Sequence, residues 1–274
     1  MPKVRVNGVD LSYEVRGSGP PVVLVAGTGY PGASWPARFL DALSRAHRVL
    51  TFDHRGTGAS QDSDGPYSTR MLAEDALGLV DRVFGTSADV VGHSMGGRVA
   101  QWMALDAPAS VRSLVLAATG AGPLPGTSRH ETGLPPATVE RMVEAGYERF
   151  IRDSQRNHFF TDSFAGQRPE EVDRLFSSWW SHRPSLRCYL KHVLARQQHD
   201  TVARLTDIRQ PALVLVGEAD TALMGTYSHL EQSHYLATAL PRATLKVLPG
   251  LKHGLFWEAP RESARAVMSW LEHR

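Results

Sequence analysis

Hydrophobic and polar residues alternate at the start of the chain and then give way to continuous apolar runs. Residues 3–6 and 11–15 alternate on either side of Asn7-Gly8, which predicts an antiparallel hairpin. From Pro21 to Ala26 the apolar run is unbroken, as in a strand that is buried on both faces. The change of pattern predicts a hairpin that leads into a parallel sheet.

Short apolar runs and helical periodicity alternate as far as residue 117. Further strands are predicted at 49–52, 90–91 and 111–117, and helices at about 35–45, 72–84 and 98–105. Strands that alternate with helices imply a mostly parallel sheet with helices on both faces. We therefore predict an α/β fold.

The alternation of strands and helices is interrupted between residues 120 and 205. Residues 119–136 are rich in Gly, Pro, Ser and Thr, and only helical patterns follow, at 139–152, 170–181 and 186–199. Strand patterns return at 212–216 and 244–248. The simplest organisation is one core domain formed by residues 1–119 and 206–274, with a helical cap inserted at 120–205.

Composition excludes several classes of protein. A net charge of +2 leaves no excess of positive charge to neutralise phosphates, so nucleic acid is not an expected partner. The one cysteine, Cys188, cannot form an intramolecular disulfide and is expected to be a small buried filler. The apolar runs are too short for a membrane helix, and the N-terminal residues lack the apolar stretch of a secretory signal. We expect a cytoplasmic protein whose partner is a small molecule. The sequence is compatible with a homodimer.

A glycine-rich turn follows the first buried strand. Gly27-Thr28-Gly29-Tyr30-Pro31-Gly32 matches G-x-G-x-x-G, and Asp53 ends the next strand, where a dinucleotide-binding acid is expected. However, the motif follows a hairpin, and Pro31 and Pro36 crowd the position where a phosphate-binding helix begins. The motif alone is weak evidence, so we expect neither a dinucleotide cofactor nor a metal.

The strongest chemical signal is Gly92-His93-Ser94-Met95-Gly96-Gly97, which lies between a predicted strand and a predicted helix. G-x-S-x-G in this context is typical of a nucleophile elbow. Ser94 takes a strained backbone conformation there, and Gly92 and Gly96 remove side chains that collide with neighbouring elements. We predict Ser94 as the nucleophile.

A serine nucleophile needs a general base, and the base needs an acid that orients it. Asp220 and His253 each follow a late predicted strand, in the order that the elbow implies. Glu218 is the alternative acid. The predicted oxyanion donors are the backbone N–H groups of Met95 and Thr28, with Gly27 and Gly29 allowing close approach.

With these residues in place, the chain resembles the α/β-hydrolase superfamily over essentially its whole length. Residues 53–60, Asp-His-Arg-Gly-Thr-Gly-Ala-Ser, are similar to the family's D-x-R-G-x-G-x-S loop. The resemblance implies the α/β-hydrolase fold with a helical cap. One departure is Ala26, where many relatives carry histidine, and we expect altered packing of the oxyanion loop rather than lost activity. Residues 6–14 and the elbow resemble enol-lactonases of the 3-oxoadipate type and small carboxylesterases.

The predicted function is hydrolysis of a carboxylic ester or lactone through an acyl-enzyme. Alternatives are cleavage of a C–C, amide or carbamate bond, perhydrolase chemistry like that of cofactor-free haloperoxidases, and a hydrolase-fold ligand receptor. The insertion carries several aromatic residues, and a few of them are expected to face Ser94. Candidate pocket residues are Tyr30, His93, Phe159, Phe160, Trp179 and Trp180. Arg156, Arg168 and Arg187 are candidates for holding a substrate carboxylate.

Overall fold

The computed structural model describes residues 1–125, 136–221 and 228–273. Its centre is an eight-stranded sheet with the order β1-β2-β4-β3-β5-β6-β7-β8. The strands are β1 (Lys3–Val6), β2 (Val9–Arg16), β3 (Pro21–Val25), β4 (Arg48–Phe52), β5 (Ala88–His93), β6 (Val111–Ala117), β7 (Ala212–Gly217) and β8 (Ala243–Leu248). All the predicted strands are confirmed, with ends that differ by one or two residues.

The first two strands form the predicted hairpin. Asn7 and Gly8 both have positive φ, at 47° and 80°, and Val6 pairs with Val9 across the turn. β2 then pairs antiparallel with β4, and the remaining pairs are parallel. Since β3 to β8 run in one direction, the loops that follow them gather at the same edge of the sheet.

Helices cover both faces of the sheet. They are α1 (Ala37–Ser44), α2 (Thr69–Phe84), α3 (Met95–Asp106), α4 (Pro136–Ala145), α5 (Tyr147–Phe159), α6 (Asp162–Gln167), α7 (Pro169–Ser181), α8 (Leu186–Gln197), α9 (His229–Ala239), α10 (Leu255–Glu258) and α11 (Pro260–His273). Along β3, Val22 and Leu24 join a core with α1 and α11, whereas Val23 and Val25 join a core with α2, α3 and α9. The alternation along this strand separates the two apolar layers.

Five helices, α4 to α8, lie between β6 and β7, and we call them the cap helices. They fall within the predicted insertion 120–205, of which residues 126–135 lie outside the described part. Residues 222–227 and 274 of the predicted core domain also lie outside it. In the described residues, no helix is both long and apolar enough to cross a lipid bilayer.

The sequence prediction of one helix over 139–152 is wrong. The chain forms α4 and α5 with a break at Gly146, whose φ of 78° is outside the helical region. The sequence pattern also does not predict helix α6, which has only six residues. Its N-cap is Thr161, whose hydroxyl accepts from the backbone N–H of Phe164. Cys188 is buried in α8, as expected.

Candidate active site

Ser94 lies at the turn between β5 and α3, in a backbone conformation that only a well-supported turn can hold. Its φ of 55° and ψ of −119° are strained for a residue with a side chain. The backbone N–H of Ser94 donates to the carbonyl of Ala117 at 2.9 Å. Its carbonyl accepts from the Thr119 hydroxyl at 2.6 Å and from the N–H of Gly97 at 3.0 Å. These bonds fix the serine at the edge where the strands end.

The positions two residues on either side of Ser94 require glycine, because an added Cβ would collide with neighbouring backbone atoms. A Cβ on Gly92 would lie 2.3 Å from the carbonyl oxygen of Gly96, and one on Gly96 would lie 2.0 Å from that of Val25. On the neighbouring turn, a Cβ on Gly27 would lie 3.2 Å from the Cβ of Ser94. The elbow therefore packs directly against the end of β3, as the small residues at these positions predict.

Asp220 and His253 follow β7 and β8, and the structure brings them together. The Nδ1–H of His253 donates to Oδ2 of Asp220 at 2.8 Å, and both side chains are buried. A carboxylate can only accept, so this bond leaves Nε2 of His253 as the unprotonated nitrogen. The loops are also joined through their backbones, because the N–H of Ala219 donates to the carbonyl of Leu251.

Burial and neighbouring groups set the charges of this pair. Burial lowers the pKa of His253, and the Asp220 carboxylate only partly offsets that shift. For Asp220, burial opposes ionisation, but His253 and His229 together hold its pKa below the usual range. The arrangement at neutral pH is therefore an ionised acid beside a neutral imidazole.

The alternative acid, Glu218, is exposed and points elsewhere. Its carboxylate accepts from the backbone N–H of Gly250 at 3.0 Å. It thereby stabilises the turn after β8, two residues ahead of the Lys252–His253 segment. Of these two acids, Asp220 is the one that accepts a hydrogen bond from His253.

Two further histidines, which the sequence pattern does not predict, contact the ring of His253. His229, at the start of α9, donates from Nδ1 to the second Asp220 oxygen at 3.4 Å. The ring centroids of His229 and His158 each lie 4.4 Å from that of His253 and 5.9 Å from one another. Nothing in their spacing from Asp220 or His253 signals this arrangement, because it depends on where α5 and α9 pack.

The four side chains His158, Asp220, His229 and His253 place a donor atom each within 4.8 Å of the others. That spacing is compatible with metal ligands, but two of the nitrogens already donate to Asp220. The geometry favours a hydrogen-bonded acid–base cluster.

His93, a predicted pocket residue, lies beneath His253. Its Nε2–H donates to the carbonyl of His253 at 3.0 Å, and the two ring centroids are 4.8 Å apart. Burial, followed by the charge of His253, lowers the pKa of His93 well below its usual value. A neutral His93 therefore supports the loop that carries His253.

The turn that holds Thr28 is fixed from the cap side. The N–H of Gly29 donates to Nδ1 of His192, and the carbonyl of Gly29 accepts from the indole N–H of Trp179, at 3.3 and 3.1 Å. Gly29 has a φ of 71°, and a Cβ there would meet the ring of Tyr189. Thr28 follows β3 and Met95 follows Ser94, so both predicted oxyanion donors lie at the same edge of the sheet.

The residues that suggested a dinucleotide site have structural roles instead. The carboxylate of Asp53 accepts from the N–H groups of Gly32 and Ala59, at 2.7 and 2.9 Å. Burial raises the pKa of Asp53, and these two bonds oppose the shift. At Ala26, where many relatives carry histidine, the carbonyl accepts from Nε2–H of His54. The glycine-rich turn is thus tied to the loop after β4.

A narrow apolar cavity lies between the core and the cap helices, with a volume of about 20 Å³. That is close to the space of one water molecule. Four predicted pocket residues line it, and His93 and Trp180 do not. Trp180 packs instead against Tyr147, with the guanidinium of Arg183 over its ring at 4.2 Å. The lining residues are Tyr30, Ser34, Phe159, Phe160, Leu175, Phe176, Trp179 and Trp257.

The cap is joined to the segment after His253 by hydrogen bonds. The N–H of Gly254 donates to the carbonyl of Phe159 at 2.9 Å, and the ring of Phe159 lies 5.0 Å from that of His253. The backbone N–H and hydroxyl of Thr161 both donate to the carboxylate of Glu258. The cavity wall and the imidazole are therefore positioned by the same short stretch of chain.

Known proteins with similar sequences and structures match this chain over most of its length. Residues 20–260 match the model of the alpha/beta hydrolase fold family. A protein of Azorhizobium caulinodans named "Putative carbamate hydrolase RutD" is 29% identical, with 89% of this chain and 88% of that protein covered. The enol-lactonase from Burkholderia xenovorans LB400 superposes with a TM-score of 0.84 at 27% identity, covering 99% of this chain and 100% of that one. A thermophilic esterase from Thermogutta terrifontis has a TM-score of 0.81 at 26% identity, with coverage of 99% and 98%.

Proposed function

This chain belongs to the α/β-hydrolase fold family, and on that premise we propose that it is a serine hydrolase. Its substrate is a carboxylic ester or lactone of a small, mainly apolar compound. One observation carries the proposal: at the edge of the sheet where Ser94 is held on a strained strand-to-helix turn, the Nδ1–H of His253 is bonded to the buried Asp220 at 2.8 Å. This is the arrangement that activates a serine hydroxyl.

In the first half of the reaction, Ser94 Oγ attacks the carbonyl carbon while Nε2 of His253 accepts its proton. Asp220 keeps the ring in the required tautomer and stabilises the imidazolium that forms. The negative oxygen of the tetrahedral intermediate accepts from the backbone N–H groups of Thr28 and Met95. His253 then returns the proton to the leaving oxygen, the C–O bond breaks, and the acyl group stays on Ser94.

In the second half, a water molecule replaces the alcohol. His253 takes a proton from this water as it attacks the acyl carbon, and a second tetrahedral intermediate forms at the same donors. Its collapse returns the proton to Ser94 Oγ and releases the acid. The neutral state of His253, which its lowered pKa supports, is the state that both halves need.

The aromatic cavity supports a mainly apolar substrate. Its walls come from the turn after β3, from α5 and α7, and from α10, and they meet His253 through the ring of Phe159. Because the cavity is narrow, a substrate with more than a few atoms needs side chains of the cap helices to move. We propose that the cap helices act as a lid that selects the acyl group.

An active-site probe tests the proposal. A fluorophosphonate should label the folded protein at Ser94, found by peptide mass spectrometry, and p-nitrophenyl butyrate should be hydrolysed with many turnovers. Ser94→Ala should lose both properties, with a fall in kcat of about four to six orders of magnitude. Unlabelled Ser94 in folded protein, or labelling at another residue, would exclude the mechanism.

Carbamate cleavage is the second candidate, because one of the relatives carries the name of a carbamate hydrolase. Ester and carbamate hydrolysis use the same nucleophile and differ in the stability of the acyl-enzyme. A p-nitrophenyl ester and a p-nitrophenyl N-alkyl carbamate of equal chain length separate them. Rapid turnover of the carbamate would favour the second candidate, and a single burst followed by inactivation would favour the ester.

A further inference from the structure

The arginines that the sequence suggested for a substrate carboxylate are engaged elsewhere. Arg156 donates to the carbonyl of Ala165, next to it on the cap. Arg168 and Arg187 are exposed and form ion pairs with Glu171 and Asp64. These contacts leave none of the three arginines directed at Ser94.

Two other arginines lie deeper. Arg98 is in the first turns of α3, and Arg196 is in the last turn of α8. The guanidinium of Arg98 donates to the backbone carbonyl of Arg196 at 2.7 Å, which joins the two helices. Both side chains are half-buried. Two half-buried arginines therefore lie on neighbouring helices, and the guanidinium of one contacts the main chain of the other.

No carboxylate of the described residues forms an ion pair with either guanidinium. Burial lowers the pKa of Arg98 to about 9, and the like charge of Arg196 adds to the shift. Burial also lowers the pKa of Arg196, and Tyr189 opposes this shift. A half-buried cation without a counter-charge is costly, and a second one beside it increases the cost.

Both arginines lie near the histidines of the candidate active site. Arg98 comes four residues after Ser94, and long side chains on a helix lean toward its N-terminus, which here is the Ser94 turn. Arg196 is seven residues after Tyr189, on the same face of α8, and the ring of Tyr189 contacts Gly29. The charge of Arg196 contributes to the lowered pKa of His253, and the charge of Arg98 to that of His229.

We propose that Arg98 and Arg196 form an anion subsite, so that the substrate carries a free carboxylate in addition to the ester or lactone group. Two guanidinium forks can hold one carboxylate with several charge-assisted hydrogen bonds. The ligand supplies the negative charge that the described residues lack. This inference rests on the proposed function, whose substrate class it narrows.

Two matched pairs of substrates test the subsite. Mono-p-nitrophenyl pimelate is compared with p-nitrophenyl octanoate, which places the charge in the acyl part. The butyrate ester of p-hydroxybenzoate is compared with that of p-hydroxybenzamide, which places the charge in the leaving group. In at least one pair, kcat/KM should be about tenfold or more higher for the anionic member.

Arg98→Met and Arg196→Met should remove that preference. We expect a loss of about tenfold to a hundredfold for the anionic ester, mainly in KM, and a change of less than about threefold for the neutral one. Arg187→Met, which removes an exposed arginine paired with Asp64, is the matched control and should leave both values unchanged. Equal rates in both pairs, or equal losses for charged and neutral esters, would overturn the subsite.

A measurement without turnover separates this inference from the proposed function. Pimelate should raise the Tm of the wild-type protein and leave that of Arg196→Met unchanged. Without ligand, Arg196→Met should have the higher Tm, by about 2–4 °C, because an unpaired charge has been removed. If Ser94 is not labelled and no ester is cleaved, the proposed function fails, whereas the absence of a pimelate effect on Tm overturns the subsite.

Discussion

The two sides of the candidate active site are built by different means. On the core side, backbone hydrogen bonds and glycine contacts hold Ser94, Asp220 and His253 with almost no free space. On the cap side, aromatic rings such as Phe160 and Phe176 form a wall with few polar contacts. Backbone contacts are directional and tolerate no added atom, whereas ring packing tolerates exchange of similar volumes.

This difference assigns separate tasks to the two sides. The core side fixes the positions of reacting groups, which need accuracy well below 1 Å. The cap side determines the shape of the cavity, and that shape can change without moving the reacting groups. Substitutions should therefore stop the enzyme on the core side and change its selectivity on the cap side.

The largest contrast is expected between two glycines. In Gly96→Ala the new Cβ meets the Val25 carbonyl, so the strand or the elbow must shift, and we expect a loss of about 3 kcal/mol or more in the free energy of unfolding. In Gly166→Ala, on exposed helix α6, no atom lies within 4 Å of the new Cβ. Alanine should stabilise that helix by about 0.5–1 kcal/mol. Urea denaturation of both variants measures the contrast.

Equal effects of the two substitutions would contradict the division between the sides. A stable Gly96→Ala protein that also hydrolyses esters normally would show that the elbow can relax. The predicted lack of space around Ser94 would then be wrong.

The core side could be predicted from the sequence because its constraints act on single residues at fixed spacing. A side chain at Gly92 or Gly96 would collide with the backbone, so both positions flanking Ser94 require glycine. Such a requirement is visible in the sequence. Asp220 follows the apolar run of the buried strand β7, and His253 follows β8, an edge strand whose short pattern of apolar residues is still recognisable. The same reasoning gave the hairpin at Asn7-Gly8, where both residues need positive φ.

The cap side could be predicted only in outline. Aromatic composition indicated a pocket, but Phe159 lines the cavity and Trp180 does not, because the direction of a side chain depends on how helices pack. The stack of His158 and His229 on His253 joins elements that are far apart in the chain. Arg98 and Arg196 also come from helices that are far apart in the chain. The spacing of residues in the sequence therefore predicts neither of these two contacts.

The next prediction concerns His229, which acts through Asp220. His229→Gln should lower kcat by about tenfold to a hundredfold with little change in KM, since a hydrogen bond to the carboxylate is weakened. His229 also contributes to the lowered pKa of His253, so its removal should move the acidic limb of the kcat/KM profile to higher pH. His234→Gln, on the exposed face of the same helix, is the control. An unchanged pH profile would reduce His229 to a packing role.

The pH dependence of stability tests the buried histidines that hold the turn after β3, His192 and His54. Burial lowers the pKa of His192 to about 3 and that of His54 to about 4. In the unfolded chain these groups take up protons below about pH 6.5, while the folded protein stays neutral there, so stability falls as pH falls. Each should contribute about 1.4 kcal/mol per pH unit between about pH 6 and the folded pKa.

His192→Gln tests this contribution because it removes one of the two groups. Urea denaturation at pH 7 and pH 5 should show a smaller loss of stability than in the wild-type protein, by about 2 kcal/mol in total, because the full slope is reached only below about pH 6. His182→Gln, at an exposed position beside the cap, is the matched control. An unchanged slope in His192→Gln would mean that His192 takes up a proton in the folded protein and that its contact with Gly29 is not maintained.

The smallest effect is expected at the aromatic wall. Phe176→Leu keeps an apolar side chain but opens space beside Phe160, so esters with longer acyl chains should gain in kcat/KM over short ones by roughly tenfold or less. The rate for the shortest ester should stay within about twofold, because Ser94, Asp220 and His253 do not touch the substituted ring. Trp180→Phe, which lies outside the cavity, should leave the chain-length profile unchanged. A large loss for all esters in Phe176→Leu would show that the wall also positions His253, through Phe159, and that the two sides are not separable.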